Sequence, residues 1–122
     1  MLTGDLSSLI SSTSEVGKAI RKGDLIVFES TVFPGCSVEV CIPLLEKHSG
    51  LTVGSDFDVA YSPERVNPGD PYHKLLTTTK VVSGFNEQSA QRVAALYDQL
   101  GLDRIFVAPS MEVAEAAKLL EN

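Results

Sequence analysis

The order of apolar and polar residues in the first half of the chain predicts two helices and the strand between them. Residues 5–22 carry apolar side chains at imperfect helical spacing and end at a Gly-Asp stop, which predicts a helix. Residues 25–30 begin with the apolar run LIVF, a pattern typical of a strand buried on both faces. Residues 36–48 predict a second helix with a kink or restart at Pro43, because proline has no N–H to donate.

The second half of the chain continues the alternation with one interruption. It predicts strands at 56–63, 80–84 and 104–109, and helices at 86–101 and from Ser110 to the last residue. The segment 64–79 contains two prolines and no clear period, so it offers no crossover helix. The strand at 80–84 is therefore free to run antiparallel to the first two strands. The fold class is α/β, a mostly parallel sheet of about four strands with flanking helices.

Helical spacing predicts which side chains of the last two helices pack against the sheet. Gly101 is expected to end the helix at 86–101, and Ser110 to cap the final helix. The packed positions are Val93, Ala94, Leu96, Tyr97 and Leu100 in one helix, and Val113, Ala116, Ala117 and Leu120 in the other.

Composition narrows the class of protein. The chain has 122 residues and 43% hydrophobic residues, which fits one globular domain. Its net charge of −6 argues against a nucleic-acid partner. No apolar run approaches the about 18 residues of a membrane span, and the N-terminus has no secretory pattern. Cys36 and Cys41 have no further Cys or His pair to complete a zinc site, which favours a reduced, cytoplasmic protein.

Small polar residues follow two of the predicted strands. Glu29, Ser30 and Thr31 end the first strand, and Ser62 to Arg65 end the second. In an open α/β sheet, ligands bind beyond the carboxyl ends of the strands. If these two strands are parallel neighbours, both clusters face one crevice. The alternative is the ordinary polarity of such loops, with Ser30 or Thr31 bonded to loop backbone.

Four other features have both a functional and a structural interpretation. Pro34-Gly35 precedes a helix N-terminus, which favours anions, yet neither G-x-G-x-x-G nor a Walker A loop is present. Lys118 and Asn122 are four residues apart and share one helical face, which a merely solvated face would also explain. Cys36 and Cys41 are interpreted as small core residues. The histidines, His48 and His73, are interpreted as surface or loop residues.

Four motifs in one order carry a family resemblance. They are ESTVFPG at 29–35, YSPERVNPGD at 61–70, KVVSG at 80–84 and AEAAKLLEN at 114–122. Together they resemble the UDP-glucose/GDP-mannose dehydrogenase family, in the branch that oxidises UDP-N-acetylhexosamines in polysaccharide synthesis. The resemblance implies a Rossmann-like NAD-binding domain, a central dimerisation helix and a sugar-nucleotide domain. It also implies a reaction in which two NAD⁺ molecules convert a C6 alcohol into a carboxylate through a cysteine-bound intermediate.

The resemblance assigns roles to individual residues. Thr31 would position a water near the nicotinamide, and Glu64 would assist hydrolysis of the covalent intermediate. Ser30 would join these two residues in binding the cofactor. Lys118 and Asn122 would stabilise the oxyanion that develops at C6, since a cation and an amide donor lower the energy of developing negative charge.

The substrate contacts implied by the resemblance follow Glu64 directly. The backbone of Arg65, Val66 and Asn67 would contact the sugar nucleotide. A second glutamate that many relatives carry four residues after the first is replaced here by Pro68. The family's glycine-rich fingerprint and its nucleophilic cysteine do not occur in this chain. Cys36 does not match that cysteine.

These absences predict a chain that is one piece of a longer enzyme. Residues 1–109 would form the C-terminal half of the NAD-binding domain, and residues 110–122 would begin the central helix. The first helix has no strand before it, and the last stops at Asn122 without a C-cap. The chain alone is expected to be inactive, and an exposed sheet edge at 25–30 predicts self-association.

Two other functions compete with this hypothesis. The first is a stand-alone, non-catalytic α/β module for binding or assembly. The second is a response-regulator-like domain, which would need acidic residues and a phosphorylatable aspartate at its strand ends. The third predicted strand carries Ser83 instead, which argues against that class.

Overall fold

The computed structural model of the chain describes residues 2–29, 35–63, 80–102 and 104–121, and the side chains of these residues outside 2–6 and 117–121. A short π-helical segment, Ser37–Cys41, leads directly into the second helix. The elements are α1 (Leu2–Ala19), β1 (Leu25–Phe28), α2 (Ile42–Ser49), β2 (Asp58–Tyr61), β3 (Lys80–Gly84), α3 (Glu87–Gln99), β4 (Ile105–Val107) and α4 (Met111–Glu121).

The four described strands form one sheet in the order β1-β2-β3-β4. β1 pairs with β2 in parallel, β2 pairs with β3 antiparallel, and β3 pairs with β4 in parallel. The predicted sheet of about four strands is confirmed, and so is the predicted antiparallel pair. The link 64–79 lies outside the described residues.

The strand β2 is buried on both faces and separates two hydrophobic clusters. Val59 and Tyr61 pack in one cluster with residues of α2 and α4. Ala60 packs in the other, against β3 and α3. This alternation is the period of two that a strand imposes on its side chains. The prediction of a strand buried on both faces therefore holds for β2. It is wrong for β1, which lies at one end of the described sheet and is only half-buried.

The predicted restart at Pro43 is present. The N–H of Ile42 bonds to the carbonyl of Ser37, which makes the wider turn of a π-helix, and regular α-helix then begins. Pro43 stands in the first turn of α2, and because proline has no N–H, a carbonyl of the preceding π-helical turn receives no bond from it. The proline thus fixes where the chain changes from one helical form to the other.

The predicted end of α3 at Gly101 is confirmed, and the structure adds a cap at its start. Asn86 caps the helix in a reciprocal pair with Ser89, with N···O distances of 2.9 Å in both directions. Gly101 follows the helix with φ of +94°, which glycine adopts without a steric penalty. Val93 and Tyr97 face the sheet as predicted, but Leu96 and Leu100 are 38% and 66% exposed. Those two residues lie on the neighbouring helical row, which faces away.

The first turn of α4 is capped as predicted, but its buried face differs from the prediction. Ser110 Oγ accepts a hydrogen bond from the N–H of Val113 at 3.1 Å. Val113 itself is 47% exposed, whereas Met111 and Ala114 are buried. The prediction is wrong for Val113, because the inward face includes a buried glutamate, Glu115. Ala116 is half-buried, and the side chains of Ala117 and Leu120 lie outside the described ones. No helix in the described part of the chain is long and apolar enough to cross a bilayer.

We expect Gly84→Ala to destabilise the fold strongly, since α3 begins directly against the end of β3. A Cβ at position 84 would overlap the backbone N of Ala90 and lie 2.7 Å from the Cα of Ala90 and the carbonyl carbon of Ser89. Backbone atoms cannot give way cheaply, so the expected loss is at least about 3 kcal/mol of unfolding free energy. Urea unfolding followed by circular dichroism measures this.

The matched control is Gly50→Ala. Gly50 has φ of +74°, but its Cβ would meet nothing within 4 Å. The control should lose only about 1 kcal/mol, from the left-handed backbone conformation. Equal losses in the two variants would contradict the close contact between α3 and β3.

Candidate functional site

The carboxyl ends of β1 and β2 lie side by side. Phe28 pairs with Tyr61, and the N–H of Ser62 donates to the carbonyl of Phe28 at 2.9 Å. The chain therefore leaves both strands at the same edge of the sheet, as the parallel arrangement considered in the sequence analysis requires. Among the predicted site residues, Ser30, Thr31, Glu64, Arg65, Val66, Asn67 and Asn122 lie outside the described residues.

A second set of polar residues occupies this edge, and the sequence pattern did not predict its arrangement. β3 runs antiparallel to β2, so its first residue, Lys80, lies beside the end of β2. The Lys80 ammonium is 3.4 Å from the carbonyl oxygen of Pro63 and 4.8 Å from the ring centroid of Tyr97. Tyr97 in turn donates to Glu29 Oε2 at 3.4 Å. Sequence spacing gave no signal here, because these residues come from four separate elements or loops.

The protonation of Tyr97 follows from this environment. Burial, and after it the negative charge of Glu29, raises the pKa of the Tyr97 phenol above its ordinary value. The phenol therefore remains a hydrogen-bond donor to Glu29 at neutral pH.

Two buried serines fasten the antiparallel pair at the same edge. Ser62 Oγ donates to the carbonyl of Val81 at 2.6 Å, and Ser83 Oγ donates to the carbonyl of Tyr61 at 3.1 Å. Both hydroxyls satisfy buried carbonyl oxygens near the point where β2 ends. The start of the segment that leads to Glu64 is thus held in a fixed position.

The predicted anion position after Pro34-Gly35 is filled by the chain itself. The Glu115 carboxylate is buried, with the residue only 2% exposed. It accepts from the N–H of Gly35 at 2.7 Å, the N–H of Ser37 at 3.2 Å and the hydroxyl of Ser37 at 2.8 Å. Free N–H groups at a helix start favour an anion, and here that anion comes from α4. A phosphate has no access to these donors while Glu115 is bound.

A sequence signal for Glu115 exists in retrospect. It is a carboxylate flanked by alanines, at helical spacing from Met111, on a helix that must pack against the sheet. Periodicity counts apolar residues, so a buried charge is assigned to the solvent side by default. Only the position of its partners, 78 and 80 residues earlier in the chain, makes burial possible.

The described structure places Lys118 on the same helix as Glu115. Lys118 lies within α4, three residues after Glu115 and seven after Met111. By the helical period, position 118 shares a face with positions 111, 114 and 115. Glu115 ties this helix to Gly35 and Ser37, the first described residues after the ESTVFPG motif begins to leave the sheet.

The two cysteines are core residues, as predicted. Cys36 and Cys41 are both fully buried and are not joined in a disulfide. Burial, and after it the neighbouring Cys36, raises the pKa of Cys41 from 9.0 to about 12. Thr13 Oγ1 lies 3.9 Å from the Cys41 sulfur, so α1 packs against this thiol through Thr13. His48 is half-buried on α2, and His73 lies outside the described residues.

The described edge fits one end of a dinucleotide site. Two parallel strands end in register there, which is where open α/β sheets bind such cofactors. The sequence contains no G-x-G-x-x-G fingerprint of a pyrophosphate-binding turn. The cofactor residues that the resemblance implies, Ser30, Thr31 and Glu64, follow these strand ends in the sequence and lie outside the described residues.

Comparison with known proteins identifies the same family as the motifs. Residues 2–101 match the NAD-binding domain of the UDP-glucose/GDP-mannose dehydrogenase family. The chain is 46% identical over 118 residues to UDP-N-acetyl-D-glucosamine 6-dehydrogenase of Salmonella typhi. It is 48% identical over 118 residues to protein CapL of Staphylococcus aureus. Each match covers 97% of this chain and 28% of the relative, so the chain spans little more than a quarter of their length.

Solved structures agree in fold. The chain superimposes with a TM-score of 0.82 on NDP-N-acetyl-D-galactosaminuronic acid dehydrogenase of Methanosarcina mazei, at 37% identity, covering 94% of this chain and 24% of that one. A ternary complex of GDP-mannose dehydrogenase from Pseudomonas aeruginosa gives a TM-score of 0.82 at 30% identity, covering 96% and 27%. The predicted fold class is confirmed by these neighbours.

We expect both cysteine thiols to resist alkylation in the folded chain. At pH 8, the Cys41 thiol with its pKa near 12 is ionised to only about one part in ten thousand, and only the thiolate reacts. Cys36 is fully buried, so the reagent cannot reach its sulfur in the folded chain. Iodoacetamide followed by mass spectrometry should show no label in the native protein and two labels in guanidinium chloride. Rapid native labelling would contradict the burial of these side chains.

The same shift makes stability depend on pH. The folded pKa of Cys41 lies above the unfolded value of 9.0. The contribution of this thiol to the unfolding free energy is therefore fully present below about pH 9 and is lost as the pH rises to about 12. Cys41→Ala is the control, because the unfolding free energy of this variant should not show the fall between about pH 9 and 12 that this thiol causes.

Proposed function

This chain belongs to the UDP-glucose/GDP-mannose dehydrogenase family, within its NAD-binding domain, and we propose that it is part of an NAD-dependent nucleotide-sugar 6-dehydrogenase. The full-length enzyme would oxidise the C6 alcohol of a UDP-N-acetylhexosamine to a uronate for polysaccharide precursor synthesis. The relatives at 46% and 45% identity are both UDP-N-acetyl-D-glucosamine 6-dehydrogenases, which supports this substrate class.

One observation carries the proposal. β1 and β2 end in register, so the motifs ESTVFPG and SPERVNPGD leave the sheet at one edge. A reaction that needs a cofactor-side threonine and a substrate-side glutamate requires these motifs to start from neighbouring positions. The parallel pairing supports that arrangement, and an antiparallel pairing would have separated them.

The residues of this chain have distinct parts in the proposed mechanism. Bound NAD⁺ supplies the hydride acceptor. Thr31 and Glu64 hold a water, and Glu64 accepts a proton from it during the hydrolytic step. Lys118 and Asn122 donate hydrogen bonds to the oxygen at C6 as negative charge develops there. Arg65, Val66 and Asn67 contact the sugar nucleotide through their backbone.

The domain division belongs to the same proposal. Residues 1–109 form the C-terminal half of the NAD-binding domain, and residues 110–122 begin the central helix. The nucleophilic cysteine and the pyrophosphate-binding loop would come from other parts of the full-length enzyme. Cytoplasmic location, self-association and the inactivity of the isolated chain remain predictions.

The substrate class is tested by assaying the full-length protein with NAD⁺ and the UDP derivatives of N-acetylglucosamine, N-acetylgalactosamine and N-acetylmannosamine. We expect two molecules of NADH for each molecule of one of these sugars, measured by absorbance at saturating enzyme. UDP-glucose and GDP-mannose serve as controls for sugars without the acetamido group. Turnover of a control sugar alone would contradict the proposed substrate class.

In that enzyme, we expect Lys118→Ala to reduce kcat by about 10²–10³-fold, because it removes a cation from developing charge. The Kd for NAD⁺ should change far less, since the role assigned to Lys118 lies in the transition state. Stopped-flow turnover and calorimetric titration measure the two quantities separately. Lys47→Ala, which removes an exposed lysine of α2, is the control. An unchanged kcat in Lys118→Ala would overturn the assignment.

A further inference from the structure

We propose that Glu115 is a positioning residue of the dehydrogenase. Its buried carboxylate fixes α4, and with it Lys118, against the segment that follows Thr31. This inference rests on the proposed function, because it concerns how the same site is held together.

The geometry of the Glu115 contacts is directional. One carboxylate oxygen accepts from the N–H of Gly35 at 2.7 Å, and the other accepts from the N–H and hydroxyl of Ser37 at 3.2 and 2.8 Å. Three bonds to two oxygens fix both the rotation of α4 about its axis and its position along that axis. Apolar packing by Met111 and Ala114, by contrast, tolerates sliding, because it has no directional preference.

Packing alone does not require a charge at this position. A carboxylate that is 2% exposed has lost its hydration, and it regains hydrogen bonds from buried donors of Gly35 and Ser37 that an apolar residue would leave unpaired. The directional contacts are what the charge adds. The same three bonds that satisfy these buried donors also define where α4 lies relative to Gly35 and Ser37.

The placement connects two of the proposed catalytic motifs. Gly35 comes four residues after Thr31 in the sequence, and Lys118 comes three residues after Glu115. Three residues are a rise of about 4.5 Å along a helix, which is less than one turn. The hydrogen bonds of Glu115 thus join the start of the oxyanion-binding helix to the end of the ESTVFPG motif. A misplacement of about 1 Å at such a site can cost about 10²-fold in rate.

The first experiment compares Glu115→Gln with Glu112→Gln in the full-length enzyme. Glutamine keeps the volume of Glu115 but replaces one acceptor oxygen with a donor that faces N–H groups. Glu112 lies one turn earlier on α4 and is exposed, so its variant removes the same charge from the same helix. We expect kcat to fall at least about tenfold in Glu115→Gln, with KM for NAD⁺ within about threefold, and the control to remain within about twofold.

The second experiment separates positioning from stability. Glu115→Gln is combined with Lys118→Ala, and single-turnover rates are measured with enzyme in excess, well below the unfolding temperature of each variant. If Glu115 acts through Lys118, its substitution should change the rate less than about twofold once the lysine is absent. A merely structural glutamate would cause the same loss in both backgrounds, and that additive result would overturn the inference.

Ser37→Ala keeps the test decisive if Glu115→Gln fails to fold. It removes the hydroxyl donor at 2.8 Å and leaves both backbone donors in place. We expect a fall in kcat of about two- to fivefold that also disappears in the Lys118→Ala background, and no fall would count against positioning. An active wild type with unaffected Glu115→Gln overturns this inference alone. A folded wild type that oxidises no UDP-N-acetylhexosamine overturns the proposed function, and this inference with it.

Discussion

The burial of β2 on both faces is the constraint on which the rest of the structure depends. Val59 and Tyr61 anchor the cluster formed with α2 and α4, and Ala60 anchors the cluster formed with α3. The Asp58 carboxylate adds an ion pair with Arg92 at 2.8 Å, which fixes α3 at the start of the strand. Because β2 also pairs with β1 and β3, its position decides where both neighbouring strands end. The edge that carries the proposed chemistry is therefore set by the core.

Polar contacts then define the positions of segments that the apolar core holds but does not fix in place. An apolar interface holds α4 on the sheet but does not define its register, whereas the Glu115 carboxylate bonds to fixed backbone groups of Gly35 and Ser37. Lys80 has a similar part on the other side of the edge, where its ammonium bonds the carbonyl oxygen of Pro63. Each contact fastens a chain segment next to a predicted catalytic motif, so rigidity is concentrated around the site.

The sequence predicted the elements well and their buried faces less well. β3 was predicted at its observed bounds, and Asn86, Gly101 and Ser110 marked real helix ends, because capping and turn chemistry are local. The half-burial of β1 and the exposure of Leu96 could not be read from local pattern, because both depend on which element lies opposite. The series of contacts from Glu29 through Tyr97 to Lys80 could not be predicted from the sequence for the same reason. The placement of Thr31 and Glu64 stays a prediction from the motifs.

The reversal of direction at β3 explains how such a site can be built without a crossover. After Pro63 the chain leaves the sheet at the carboxyl end of β2, and at Lys80 it re-enters at the same edge, because β3 is antiparallel. A parallel strand would have required a helix across one face to return the chain to the opposite edge. The link 64–79 need not cover any face of the sheet, so its sequence is free of helical periodicity. The two prolines of this link agree with a connection that needs no helix.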